Sequence, residues 1–374
     1  MSRIKQSLLL HSKKIAIAAL VVLVGLVLFI RYDTPAAAEF TDNYLRPILG
    51  PYIVIGLEKI YYNLSDKIVK ATYNSDSHSD FSFLDQGNPL NLTGNKLDLT
   101  PIKLNYFPSQ KDEGVWKNRP LNIFPNQEVM AYTFVRPDKD RPYAYVTLVK
   151  IDTGEVHLST VAGTKQPGGP VGKPGPGKIP QNIISSGNLI AAFDGGFQYR
   201  DGQYGMIVGS TIYLPLKMDL GTLVGYKNGN IKIINYTGQL LENNVEFIRQ
   251  NCPILIDNGS ITISDPKNRK LWGRTMTTDI YTWRSGIGID KNGNIVYAVG
   301  NNLVPETLGL ALKSAGAVNA IQLDINPFWV RFNIFNSLGG GKYSTSTLAK
   351  NLSNGSKEYL NGYTKDFFYL YKNS

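Results

Sequence analysis

Apolar residues along this chain come in short runs closed by glycine, asparagine and aspartate, the pattern of strands and hairpins rather than long helices. From about residue 105 onward that pattern dominates. Residues 143–151 and 155–161 flank Asp152-Thr153-Gly154, which reads as a hairpin turn. Asn228-Gly229 separates residues 223–226 from 231–236, and Asn292-Gly293 separates 287–290 from 295–300; Asn-Gly is the strongest short hairpin signal. One stretch has helical spacing: over 305–315, Pro305 sits early, Leu308, Ala311, Leu312 and Ala315 share a face, and Gly316 ends it. Residues 318–323 follow as a strand. The fold class is therefore mixed α/β of the α+β kind, a strand-rich mixed sheet with hairpins and at least one βαβ crossover.

Three apolar runs end on charge beside glycine or a turn: Phe193-Asp194-Gly195-Gly196-Phe197, the run from Trp283 through Arg284 to Asp290, and the run from Ile321 through Asp324 to Pro327. An antiparallel hairpin places Arg284 level with Gly300, and a helical crossover makes 318–323 parallel to 295–300. Asp324 then emerges at the same sheet edge as Arg284. Asp194, ending the run 189–193, and Asp257, ending 253–256, are expected at that edge as well. Taken singly, each has a plainer reading: Asp-Gly as a turn, Arg284 as the brace of a surface carboxylate, Asp324 as a loop cap. Convergence favours a site, because a buried arginine requires a carboxylate or an anionic ligand.

The N-terminus carries a different pattern. Residues 15–30 are sixteen unbroken apolar residues preceded by Arg3, Lys5, Lys13 and Lys14. That is short for a span of about 20 residues but sufficient for a signal-anchor, with the remaining chain outside the cell. Ala36-Ala37-Ala38 offers a cleavage signature, yet Arg31 and Asp33 make an uncleaved transmembrane helix the favoured reading. The expected organisation is a basic tail and signal-anchor over 1–35, a tether over 36–104 and one domain over 105–374.

Composition narrows the partners. The net charge is +10; residues 1–35 hold five Lys or Arg and one Asp, which leaves +6 for the rest. A modest positive excess suits anionic substrates such as phosphorylated glycans. No basic-aromatic stripe points to nucleic acid, and none is expected as a partner. The single cysteine, Cys252, excludes an intrachain disulfide and is expected to be a packed residue. His11, His78 and His157 are scattered, so neither a metal site, a cofactor nor a serine triad is expected. Gly172-Lys173-Pro174-Gly175-Pro176-Gly177-Lys178 imitates a phosphate loop, but Ile179 follows it and its prolines remove donors. The stretch 163–180 reads instead as a mobile loop placed to act as a lid. Asp290, Asn292 and Asn294 imitate a calcium loop, yet the glycine falls too early, so a turn is expected.

The three charged segments, in this order, resemble the phosphodiester glycosidase family, over roughly residues 130–340. Asp194-Gly195-Gly196-Phe197 is similar to its Asn-Gly-Gly-Phe stretch, with Asp for Asn. Arg284-Ser285-Gly286-Ile287-Gly288 resembles its Arg-Thr/Ser-x-x-Gly strand. Leu323-Asp324 begins its Leu-Asp-Gly-Gly-Gly-Ser stretch, but Ile325-Asn326-Pro327-Phe328 replaces the rest. The resemblance implies hydrolysis of a sugar-1-phosphodiester in envelope or exported polysaccharide. Asp324, Asp194 and Arg284 would be catalytic, with Gly195, Gly196, Ser285, Asn326 and Asp257 binding substrate. The altered third stretch keeps an alternative open, a non-catalytic module that binds anionic glycans during polysaccharide assembly or export.

Overall fold

The short apolar runs assemble into three sheets. The computed structural model describes residues 40–74, 97–263, 272, 280–349 and 351–373. Residues 15–30, expected to cross a membrane, lie outside that set, and no helix among the described residues is long and apolar enough to do so. The described chain divides between Glu58 and Lys59. Before that point lie two short helical turns, Thr41–Leu45 and Arg46–Leu49, with Arg46 paired to Glu58 at 2.9 Å. The helix Pro51–Thr72 runs through the division. Its later part belongs to the main unit, where half-exposed Tyr62 reaches Asn326 and buried Asp66 accepts bonds from Arg141 and Tyr143.

An eight-stranded sheet forms the centre of the main unit. Its middle is Ile295–Leu303, Thr282–Asp290 and Ala317–Ile325, in that order. The hairpin at Asn292-Gly293 forms as expected, with Gly293 at φ +84°, a left-handed angle glycine adopts without strain. The helix Pro305–Ser314 then crosses over, and Gly316 at φ +93° ends it. Ala317–Ile325 does run the same way as Ile295–Leu303, but Thr282–Asp290 lies between them and every ladder among the described residues is antiparallel. The crossover spans one strand rather than joining neighbours.

Two five-stranded sheets complete the unit. One carries Leu189–Asp194 between Phe332–Gly339 and Phe367–Lys372; the other contains the hairpin Leu220–Tyr226 with Ile231–Tyr236. The first packs face to face on the central sheet: Phe193, Phe332 and Phe368 meet Ile287, Tyr297 and Leu323 in one apolar cluster. On the other side of the central sheet, Leu308, Ala311 and Leu312 of the crossover helix cover Val296, Ala298 and Ala320.

Two expectations need correcting. Asp152-Thr153-Gly154 does turn, with Asp152 Oδ1 accepting the Gly154 N–H, but Val146–Ile151 and Val156–Val161 enter different sheets. Strands buried throughout carry no polar face to say which sheet they join. The stretch 163–180 is tied down rather than free: Thr164 N–H bonds Tyr363 O, Gly175 N–H bonds Gly163 O and Ile179 N–H bonds Tyr359 O.

Candidate active site

The chemistry-bearing residues gather where two bulges flank one residue, Arg284. Thr282 pairs with Leu303 and Arg284 with Gly300, so Asn301 and Asn302 oppose Trp283 alone. On the other side Arg284 pairs with Ile325 and Gly286 with Gln322, so Leu323 and Asp324 oppose Ser285 alone. An extra residue breaks the two-residue alternation of a strand and re-aims the side chains beyond it. Gln322 accordingly turns toward Arg284 and Cys252, while Asp324 meets Lys365.

Asp194 reaches this place from the facing sheet, not from the same edge. Its Oδ2 accepts the Ser285 hydroxyl at 2.5 Å and the Asp324 N–H at 3.2 Å; its Oδ1 accepts Tyr297 Oη and the Arg331 N–H, each at 3.0 Å. Burial pushes its pKa up, and those four donors oppose the rise. Asp194 thus pins the third charged segment to the second through a fully engaged carboxylate.

Asp324 is bonded more sparsely. One oxygen accepts the neighbouring Ile325 N–H at 2.9 Å, and the other pairs with Lys365 Nζ. Both side chains are almost wholly buried. Burial raises the Asp324 carboxyl, Lys365 lowers it and Asp194 raises it again, leaving it pushed up to about 7. A carboxyl that titrates near neutrality, beside a cation, can take up or give a proton under physiological conditions. The Lys365 ammonium also lies 4.6 Å from the centre of the Trp329 ring.

Beneath this pair is a second one. Arg249 and Asp366 have no exposed surface and meet at 2.8 Å. Arg249 also donates to the carbonyls of Tyr204, Gln250 and Phe197, and Asp366 accepts the Gly196 N–H at 3.0 Å. Asn251 accepts the Phe197 N–H and donates to the carbonyls of Gln322 and Leu323. A side chain on Gly195 would overlap Asp366, and one on Gly196 would lie 2.5 Å from Arg249 Nη2. Both glycines are therefore required by packing against this pair.

Arg284 lies at the predicted level, one strand from Gly300 and one from Ile325. Its Nε donates to Leu303 O at 2.8 Å and its Nη1 to Gln322 Oε1 at 2.9 Å; longer bonds reach Trp272 O at 3.3 Å and Ile280 O at 3.4 Å. Asp324, by contrast, takes its cation from Lys365. Asn326 has φ +80°; its N–H donates to Trp283 O and its Oδ1 accepts Tyr62 Oη. Asp257 does not join the group. It sits in the small hairpin Ile256–Asp257 with Ser260–Ile261, where Ile256 pairs with Ala320, toward the far end of that strand, and its Oδ1 accepts from Asn258. A two-residue strand gives no register signal in sequence, which is why its placement failed.

Lys365, Asp366, Arg249 and Asn251 escaped the sequence reading. Three of them had a faint signal: Lys365-Asp366 immediately precedes the apolar run of Phe367–Lys372, and Arg249 interrupts Val245–Gln250. Cys252 is the packed residue expected, its thiol pushed up to about 12 by burial.

Buried acidic groups thus meet beside a bulged strand where two sheets face each other. Residues 187–324 match the model of the phosphodiester glycosidase family, so the resemblance drawn from the three motifs is borne out over that stretch. The match ends at Asp324, where the third motif departs from the family pattern. Among solved structures, the catalytic domain of zebrafish N-acetylglucosamine-1-phosphodiester alpha-N-acetylglucosaminidase, auto-inhibited by its pro-peptide, is similar at 14% identity and TM-score 0.42, covering 69% of this chain and 88% of that one. A hypothetical protein from Synechocystis is similar at 13% identity and TM-score 0.36, covering 66% of this chain and 63% of that one. An exported protein from Burkholderia pseudomallei is similar at 10% identity and TM-score 0.30, covering 61% and 74%. No curated protein matches the chain.

Proposed function

We propose that this protein hydrolyses sugar-1-phosphodiester linkages, releasing a sugar and a phosphomonoester. The observation that carries the proposal is the Asp324 carboxyl, buried, paired with Lys365 and pushed up to about 7. In this reading Asp324, ionised, takes a proton from water as that water attacks the anomeric carbon. The bond between that carbon and the phosphate oxygen breaks, and its electron pair leaves with the phosphate. A phosphate departs with little need of protonation, so one carboxylate and a cation suffice. Lys365 keeps Asp324 able to ionise despite burial, and Asp194 with Ser285 fixes the Asp324 backbone. Arg284 is proposed to receive the phosphate, which would replace its two long bonds to Trp272 O and Ile280 O with charge-assisted ones.

Membrane attachment belongs to the same proposal. Ile60, Leu64 and Ile68 in the later part of the helix Pro51–Thr72 are each more than half exposed, and the apolar run 15–30 lies upstream in the sequence. An exposed apolar stripe on a helix suits a bilayer surface, which supports an extracytoplasmic domain acting on envelope or exported polysaccharide. The test is turnover of UDP-sugars and simpler glycosyl phosphodiesters by the full-length protein. Loss of turnover in Asp324→Asn and Arg284→Ala is expected; full rate in Arg284→Ala removes its assigned role. Binding without turnover in the unaltered protein would support the glycan-binding alternative.

A further inference from the structure

The bulge opposite Trp283 opens a cavity that the hydrolytic groups leave unused. It measures about 290 Å³ and is walled by Tyr73, Tyr145 and Trp283 together with Asn301, Asn302 and Asn351. That volume is at the lower end of small-molecule sites, which start near about 300 Å³. No charged side chain lines it among the described residues. Gln110 Nε2 donates to both tyrosine hydroxyls, at 3.3 Å and 2.8 Å, and the hydroxyls stand 3.4 Å apart. One wall is therefore held in place before any ligand arrives.

Asn302 is the informative residue. It is 7% exposed and lines the cavity, with its backbone N–H held by Asn301 Oδ1 at 2.8 Å. A side-chain amide at the wall of a cavity offers a ligand a donor and an acceptor together. Its backbone is left-handed, φ +57°, and it occupies the bulge that re-aims side chains at this point. Asn351, exposed, offers a second amide across the same space.

We infer that this cavity binds a neutral sugar ring. A pyranose has an apolar C–H face, which aromatic side chains cover, and neighbouring hydroxyls, each both donor and acceptor, which a carboxamide meets with an N–H and a C=O together. A phosphorylated group would find no cation among the described residues of the lining. The site adjoins the hydrolytic groups directly: Trp283 precedes Arg284, and its carbonyl accepts the Asn326 N–H at 3.0 Å. The inference rests on the proposed hydrolase only for its corollary, that the bound ring belongs to the glycan being cut.

The test is titration of the full-length protein with methyl glycosides of glucose, galactose, mannose and N-acetylglucosamine, read by saturation-transfer NMR and by tryptophan fluorescence. Indole and inorganic phosphate serve as control probes. At least one glycoside is expected to saturate the protein, with affinity falling tenfold or more in Asn302→Gly, which tolerates the backbone angle, and in Asn351→Ala, where the residue is exposed. Glycoside binding without any phosphodiester turnover leaves the inference standing while the hydrolase reading falls. Failure of every glycoside to bind, binding indifferent to both asparagine changes, or saturation by indole alone overturns it.

Discussion

Two neighbouring residues, Lys365 and Asp366, take part in two buried ion pairs of opposite character. Asp366 accepts two bonds from Arg249 and one from the Gly196 N–H, and Arg249 spends its other donors on three carbonyls. Asp324 has Lys365 and a single backbone N–H, and its carboxyl is pushed up to about 7. Saturation makes a buried charge structural, because removing it strands its partner. Sparse bonding leaves a buried carboxyl that exchanges its proton near neutrality, which catalysis can use.

The largest effect should come from breaking the saturated pair. Asp366→Asn leaves Arg249 buried without its counter-charge and is expected to cost about 3–5 kcal/mol, measured by urea unfolding. A neutral result would mean the pair is not what holds residues 194–197 in place. Asp324→Asn should act on chemistry instead, lowering turnover by about 10²–10⁴-fold, the range for a general acid or base. Gly196→Ala, with its new carbon 2.5 Å from Arg249 Nη2, should destabilise by about 1–3 kcal/mol, read from the shift in unfolding midpoint.

The same contrast has a pH signature. With its pKa raised by burial, Asp324 holds a proton in the folded chain that the unfolded chain has already lost between about pH 4 and pH 7. The folded state then binds more protons, so this group's contribution to stability falls as pH rises through that window. In Asp324→Asn the slope of stability against pH between 4 and 7 should be less negative; an unchanged slope would remove the raised pKa. Tyr62→Phe, which deletes the 3.0 Å bond to Asn326, should cost only about 1 kcal/mol.

The sequence showed the frame of this site better than its contents. Asn292-Gly293, Gly316 and the spacing of Leu308 with Leu312 placed Arg284 level with Gly300 and Asp324 at the same edge, because turn and helix signals are local. What a side chain faces depends on bulges, and neither the one at Asn301 and Asn302 nor the one at Leu323 and Asp324 has a local signature. Lys365 pairs with Asp324 across 41 positions and Arg249 with Asp366 across 117, distances at which one sequence carries no pairing signal. Tyr297 looked like an ordinary strand residue and Ser285 was expected to bind substrate; the facing sheet brings Asp194 to both.

The most direct measurement is kcat/KM against pH for a sugar-1-phosphodiester, on the unaltered protein and on Asp324→Asn. If Asp324 works ionised, as proposed, the rate rises with pH through a limb near 7, and that limb disappears from the residual activity of the variant. A limb that persists in Asp324→Asn, or one lying near the ordinary carboxyl value of about 4, would contradict the account.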